Sequence, residues 1–256
     1  MIDWTRLTLF LFILARMSGF ILFNPILGRR TIPGIFRAGM VLVFTVFVAA
    51  TAEQATVRMP VGTADLVLRL VLELGVGFLL GMAVNFFFVI PQVAGTMIDT
   101  QMGMTMSQIY DAGSQANMSV TGTLLNALMT LLFFAANGHH TLVRLFLTSG
   151  EIVAFGEASL GTQALNAAVE LFIEAVMLGI KLCMPILAAE IISQVGMGIL
   201  MKVIPQINVF SINIELKVMI GLGMLFVLIA PFSEFLLKAE MQMLDSLRNL
   251  LVLTGV

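Results

Sequence analysis

The chain has 256 residues, of which 59% are hydrophobic and 11% charged, with a formal net charge of −2. Soluble domains carry about 25% charged residues, so this composition excludes a soluble protein and identifies an integral membrane protein, expected to be all-α. No basic block marks a nucleic-acid partner, and the single Cys183 excludes an intrachain disulfide and a cysteine zinc cluster. At roughly 20 residues per crossing, five or six long helices fit.

The first apolar run, residues 7–23, follows Asp3 and Arg6, contains Arg16 and has no small-residue cleavage pattern. It is expected to remain as helix one, over about residues 4–23, and to end at Asn24-Pro25, because proline disfavours helical geometry in the residue before it. A linker over 26–36 with Gly28, Arg29, Arg30 and Pro33 leads to helix two, near 37–52, apolar all round. After a polar turn over 53–64, a third helical region spans about 65–99. Its length of about 50 Å exceeds the ~30 Å hydrocarbon layer, so it must kink, tilt or leave the bilayer, with Pro91 as the expected kink.

Residues 103–117 read as a loop and 118–136 as a fourth helix, closed by Asn137-Gly138. Residues 139–166 read as a short amphipathic helix and a loop. A fifth region over 167–203 is again too long for one crossing and contains Pro185, which suggests two related helical hairpins. Helix six is expected over 208–237, with Pro231 near its end. Beyond it, Leu237, Met241, Leu244, Leu247 and Leu251 fall at helical spacing opposite Lys238, Gln242, Asp245 and Asn249, predicting an amphipathic tail over 238–256 on a membrane surface or a partner. Lys and Arg in alternating connections divide six to four, which does not set an orientation.

Arg16, Glu73, Glu174, Lys181, Glu190, Glu215 and Lys217 lie inside or beside apolar runs. Each would cost roughly 2.5 kcal/mol or more in lipid, so they must face protein, water or one another. Glu170 and Glu174 are one helical turn apart, with Lys181 two turns beyond on about the same face. They form either a polar pore wall or proton path, or a structural ion-pair network, the commoner arrangement in membranes. Arg16, Glu215 and Lys217 could complete such networks, although Glu215 and Lys217 point to different faces.

The chain contains 19 methionines, most of them read as deformable packing. Met102, Met104 and Met106 crowd the loop after the third helical region, where an apolar, yielding loop resembles a plug. The spacing Gly77-x-x-x-Gly81 allows close helix approach, as do Gly196, Gly198, Gly221 and Gly223. Adjacent His139 and His140 have no clustered partner of metal-ligand type, so no metal is expected. No nucleotide, hydrolase or metalloprotease motif is present, and neither an enzyme nor a cofactor is expected.

Several segments, taken together and in order, carry a family resemblance. They are Ala15-Arg16 with Gly19; Pro25, Gly28, Pro33 and Arg37; Gly77 and Gly81; Gly95, Asp99 and Gln101-Met102-Gly103; Asp111; and Asn137-Gly138-His139. Pro205-Gln206-Ile207-Asn208-Val209-Phe210, Gly221 and Ala230-Pro231-Phe232 complete the set. Over nearly its whole length the chain resembles the FliR family of the flagellar type III protein export apparatus, homologous to the SctT family of virulence injectisomes.

The resemblance implies a single FliR-like membrane domain over 1–256, with N-terminal helices to 136, C-terminal helices over 137–237 and the tail. It implies long kinked hairpins in which a FliP-like part joins a FliQ-like part, assembled in a helical export gate. The implied partners are FliP and FliQ, FlhB and FlhA of the same apparatus, unfolded flagellar export substrates, and membrane lipid. The implied location is the flagellar basal body in the bacterial inner membrane.

The resemblance further implies a pore plug at about 103–117, with Met102, Gly103, Met104, Met106, Ile109, Tyr110 and Asp111 as candidate residues. Pro205, Gln206, Asn208, Val209 and Phe210 are the candidate family motif. Two positions depart from the family pattern: Ala112 follows Asp111 where proline is common, and Ser211–Leu216 replaces a stretch usually bearing glycine and proline. The alternatives are a virulence-secretion gate subunit, a proton-coupled small-solute transporter using Glu174, Lys181 and Glu190, and a scaffold that does not line the pore.

Overall fold

The structure is a computed structural model that describes residues 4–29, 32–51, 59–104, 119–204 and 209–255. Among these residues there is no β-strand. The helices are α1 (Trp4–Phe23), α2 (Gly34–Thr51), α3 (Thr63–Met102), α4 (Val120–Ala135), α5 (Gly138–Leu147), α6 (Ser149–Ile152), α7 (Thr162–Val203), α8 (Val209–Val227) and α9 (Ile229–Leu253). Four of them are long and apolar enough to cross a membrane; the number rises to six if the bent pairs α4–α5 and α8–α9 each count as one crossing.

Helix α1 ends where expected, and the Asn24 side chain shows why. Its Oδ1 accepts hydrogen bonds from the backbone N–H of Ile26 (2.9 Å) and Leu27 (3.1 Å), a local turn that competes with helix continuation. Helices α3 and α7 have 40 and 42 residues, about 60 Å each, and run as single helices through Pro91 and Pro185. Helix α7 begins five residues before the expected start at Ala167.

The helix path is interrupted at two junctions. Asn137, in left-handed geometry at φ 60°, stands between α4 and α5. Asparagine tolerates this conformation better than most residues with a side chain.

The sixth helix departs from the sequence reading. It bends by 62° at Leu228, and its second half is continuous with the tail as α9. Pro231 lacks the N–H that would bond the carbonyl of Val227, and its ring crowds that carbonyl, so the interruption falls just upstream of the proline. The tail is thus not a separate element. Its buried stripe is Leu236, Ala239, Met243, Leu247, Leu250 and Leu251, while Met241 is exposed, so the expected stripe is displaced by about one position over its first half. The tail docks on its own chain: the Ser159 N–H donates to the Thr254 carbonyl at 2.8 Å.

The chain divides into two compact units built from interleaved segments. The first comprises residues 1–87, 137–174 and 240–256; the second comprises 88–136 and 175–239. The division within α3 falls at Phe87, the residue whose carbonyl Pro91 leaves without an N–H donor.

In the first unit, α1 and α3 meet along Gly19, Gly77 and Gly81. A Cβ on Gly77 would strike the Arg16 carbonyl, and one on Gly19 the Leu74 carbonyl. The Gly77-x-x-x-Gly81 spacing therefore does bring two backbones together. In the second unit, the end of α3 is the central element, touching α4 at Gly95–Gly122, α7 at Val93–Gly179 and α8 at Met102–Gly221. A methyl group on Gly196, Gly198 or Gly223 would meet nothing within 4 Å. Contrary to expectation, these three glycines do not mediate helix contact among the described residues.

Candidate functional site

Three polar centres stand out in this apolar interior. The first, in unit one, is built on Arg16 of α1 and Glu73 of α3, both with fully buried side chains. Arg16 Nε donates to Glu73 Oε2 at 2.6 Å and Nη2 donates to Oε1 at 3.1 Å, a forked pairing that fixes both side chains. Nη1 donates to the Val153 carbonyl at 3.0 Å and to Ser149 Oγ at 3.4 Å. The guanidinium lies 4.4 Å from the centre of the Phe155 ring.

Glu73 Oε1 also accepts the N–H of Gly156 at 2.6 Å, and Arg69, one helical turn earlier, donates to the Gly156 carbonyl at 2.7 Å. The Gly156 peptide is held from both sides by α3. Its φ of +88° is a conformation that glycine adopts without the steric cost of a Cβ. The hub ties α1, α3, α6 and the loop after α6 through charge-assisted bonds in a site without water access. Every strong donor and acceptor in it has a partner, the condition under which a buried ion pair holds structure together.

The second centre, in unit two, lies where α3 ends and α4 begins. Asp99, 1% exposed, accepts hydrogen bonds from Ser119 Oγ at 2.7 Å and from the Thr121 N–H at 3.2 Å. Ser119 caps α4 by accepting the Gly122 N–H at 2.8 Å. At the other stem, the Met104 N–H bonds the Asp99 carbonyl and the Gly103 N–H bonds the Thr100 carbonyl, with Gly103 at φ +80°. This is a Schellman stop. One turn back, Gly95 and Gly122 bring α3 and α4 into backbone contact. Asp99 thus clamps both stems of the segment expected to form the plug.

Of the candidate plug residues, Met102 is the last residue of α3 and fully buried against Gly221, Gly103 is the helix stop, and Met104 is half-buried. Met106, Ile109, Tyr110 and Asp111 lie outside the described residues, as do Pro205, Gln206 and Asn208. Val209 and Phe210 open α8.

The third centre, also in unit two, is Glu190 on α7. Its side chain is fully buried and neither carboxylate oxygen has a hydrogen-bond partner. Glu174 accepts a hydrogen bond from Gln242 Nε2 of α9. Lys181 and Glu215 are exposed and Lys217 is half-buried. The seven charges singled out in the sequence therefore do not form one network: Arg16 and Glu73 pair, and the others occupy separate positions. Sequence reasoning gave no role to Arg69, Ser149, Val153, Phe155, Gly156 and Ser119, and named Asp99 only among the residues of the family resemblance. The i, i+4 spacing of Arg69 and Glu73 was the available signal for the first of these.

Long apolar helices, an ion pair enclosed between them and capped helix junctions define a polytopic all-α membrane protein. Comparison with known proteins narrows this class. The sequence matches the family of bacterial export proteins, family 1, over residues 7–243, and the chain belongs to that family. It is 27% identical to the flagellar biosynthetic protein FliR of Escherichia coli strain K12, over 82% of this chain and 80% of that one. To the FliR of Bacillus subtilis strain 168 it is 25% identical over 96% of both chains. It is also 24% identical to the Yop proteins translocation protein T of Yersinia pestis, over 80% of this chain and 79% of that one. The resemblance to the FliR family, homologous to its virulence counterparts, is therefore shown. Membership makes the chain a component of a bacterial export apparatus, and the family is not a family of enzymes.

Proposed function

We propose that this chain is a subunit of the flagellar type III export gate, forming with FliP and FliQ the channel that passes unfolded flagellar proteins across the bacterial inner membrane. The observation that carries the proposal is the match to a flagellar FliR along 96% of both chains. FlhA and FlhB of the same apparatus are its further partners, and the flagellar basal body is its location. Its work is mechanical: it keeps a pore closed and yields to a polypeptide.

Within this proposal, residues 103–117 form the plug, with Met104, Met106, Ile109 and Tyr110 as sealing side chains. The clamp at Asp99 suits the role, because stems tied to each other allow a loop to be displaced without separating α3 from α4. Pro205, Gln206, Asn208, Val209 and Phe210 are the family motif before and at the start of α8, and the paired Arg16 and Glu73 hold α1 and α3 in register. Deleting the gene is expected to abolish swimming, and the tagged chain is expected to purify with FliP and FliQ. Removing residues 104–110 raises small-molecule leakage through the assembled gate; unchanged leakage rejects the plug.

A virulence-secretion role is the second reading, favoured by the similarity to the Yersinia translocation protein. Loss of effector secretion with normal motility after deletion selects it over the flagellar one.

A further inference from the structure

We propose that the groove between α1 and α2 is a binding site for an anionic phospholipid, with Arg37 holding the phosphate and the apolar groove holding an acyl chain. The groove, of about 410 Å³, is lined by Ser18 and Leu22 of α1 and by Arg37, Ala38, Val41 and Leu42 of α2, among others. Arg37 Nε is buried in it without a hydrogen-bond partner. A guanidinium N–H withdrawn from water needs an acceptor, and the strongest match for its fork is a phosphate or carboxylate oxygen. This chain offers none nearby in sequence: no Asp or Glu occurs from residue 24 to residue 52, while Arg29 adds a second cation.

Two further observations select a lipid as the occupant. Helix α2 is the least buried of the four single helices that could cross a membrane, with 17% of its window covered by the chain. It presents Ile35, Phe36, Val43 and Val46 outward, each more than half exposed, a surface suited to acyl chains. Arg37 lies in the first turn of this 18-residue helix, whose length of about 27 Å nearly matches the hydrocarbon layer. The cation is therefore at headgroup depth, and the groove runs from it into the apolar layer. One molecule with a negative head and a long chain satisfies both parts.

The test is native mass spectrometry of the protein as it is purified in mild detergent, titrated with phosphatidylglycerol or with phosphatidylcholine. Phosphatidylglycerol is expected to be retained preferentially. Arg37→Gln lowers that retention roughly fivefold, the factor associated with one basic residue near an anionic lipid. Arg37→Lys keeps most of it, Ala38→Phe lowers it by filling the groove, and exposed Arg248→Gln leaves it unchanged. Equal retention of the two lipids, no effect of Arg37→Gln, or displacement by an equal concentration of inorganic phosphate overturns the proposal. So does a photocrosslinker at position 42 that reacts only with another protein subunit. None of these readouts depends on export activity.

Discussion

Buried charge is handled in opposite ways at two sites, one in each compact unit. In the first, Arg16 and Glu73 exchange a forked pair, and their remaining groups bond Ser149, Val153 and Gly156. In the second, Glu190 is as deeply buried as Arg16 yet has no hydrogen bond to either oxygen, and Ser193 Oγ and Asn213 Oδ1 are unsatisfied as well. Glycines show two kinds of site as well, in both units: Gly19, Gly77, Gly81 and Gly95 are filled against neighbouring backbone, whereas Gly39, Gly62, Gly196, Gly198 and Gly223 face open space. The lesson is that the Arg16–Glu73 hub is finished by its own chain, whereas Glu190, Ser193 and Asn213, like Arg37 in the first unit, are not satisfied by this chain alone.

The largest effect should come from breaking the finished hub. Glu73→Ala leaves a buried guanidinium and the Gly156 N–H without an acceptor, and is expected to cost about 3–5 kcal/mol. Thermal unfolding in detergent should show it, with Arg16→Ala similar and the double variant well short of the sum. Additive losses would mean that the pair contributes nothing as a pair.

Glycine substitutions should give opposite signs in the two kinds of site. Gly77→Val forces backbone apart and is expected to cost at least about 1–3 kcal/mol. Gly196→Ala meets nothing and is expected to stabilise by up to about 1 kcal/mol through helix propensity. Equal destabilisation of both would place an unseen contact at Gly196.

The smallest effect is expected at Glu190. Because its carboxylate makes no hydrogen bond, Glu190→Gln should change the stability of the isolated chain by less than about 1 kcal/mol. A loss as large as that of Glu73→Ala would show that the two sites are alike after all.

Much of this architecture can be read in the amino acids, because membrane helices advertise themselves by length and apolarity. The end of α1 follows from Asn24-Pro25 and the existence of α3 and α7 from long apolar runs, although α7 begins five residues earlier than expected. The bend at Leu228 escapes a sequence reading because a proline disturbs the carbonyl four residues earlier, where nothing in the composition marks it. The tail's buried stripe is hard to place because Met241 and Leu237 are as apolar as the residues that pack; only tertiary contact separates them.

At the hub, Arg16 and Glu73 are visible as misfits in apolar runs, but their pairing is not. Val153 and Gly156 supply backbone groups, which have no sequence signature, from more than 80 positions away. The role of Asp99 escapes for a similar reason, since its partners lie across the segment expected to be the plug.

The central claim is that this chain operates as one subunit within an export gate whose other members surround it. Purification of the tagged chain in mild detergent, with mass measurement of the intact particle, tests it most directly. The account predicts one copy bound to several copies of FliP and FliQ. A chain that is monodisperse alone and transports substrate by itself in liposomes would contradict it.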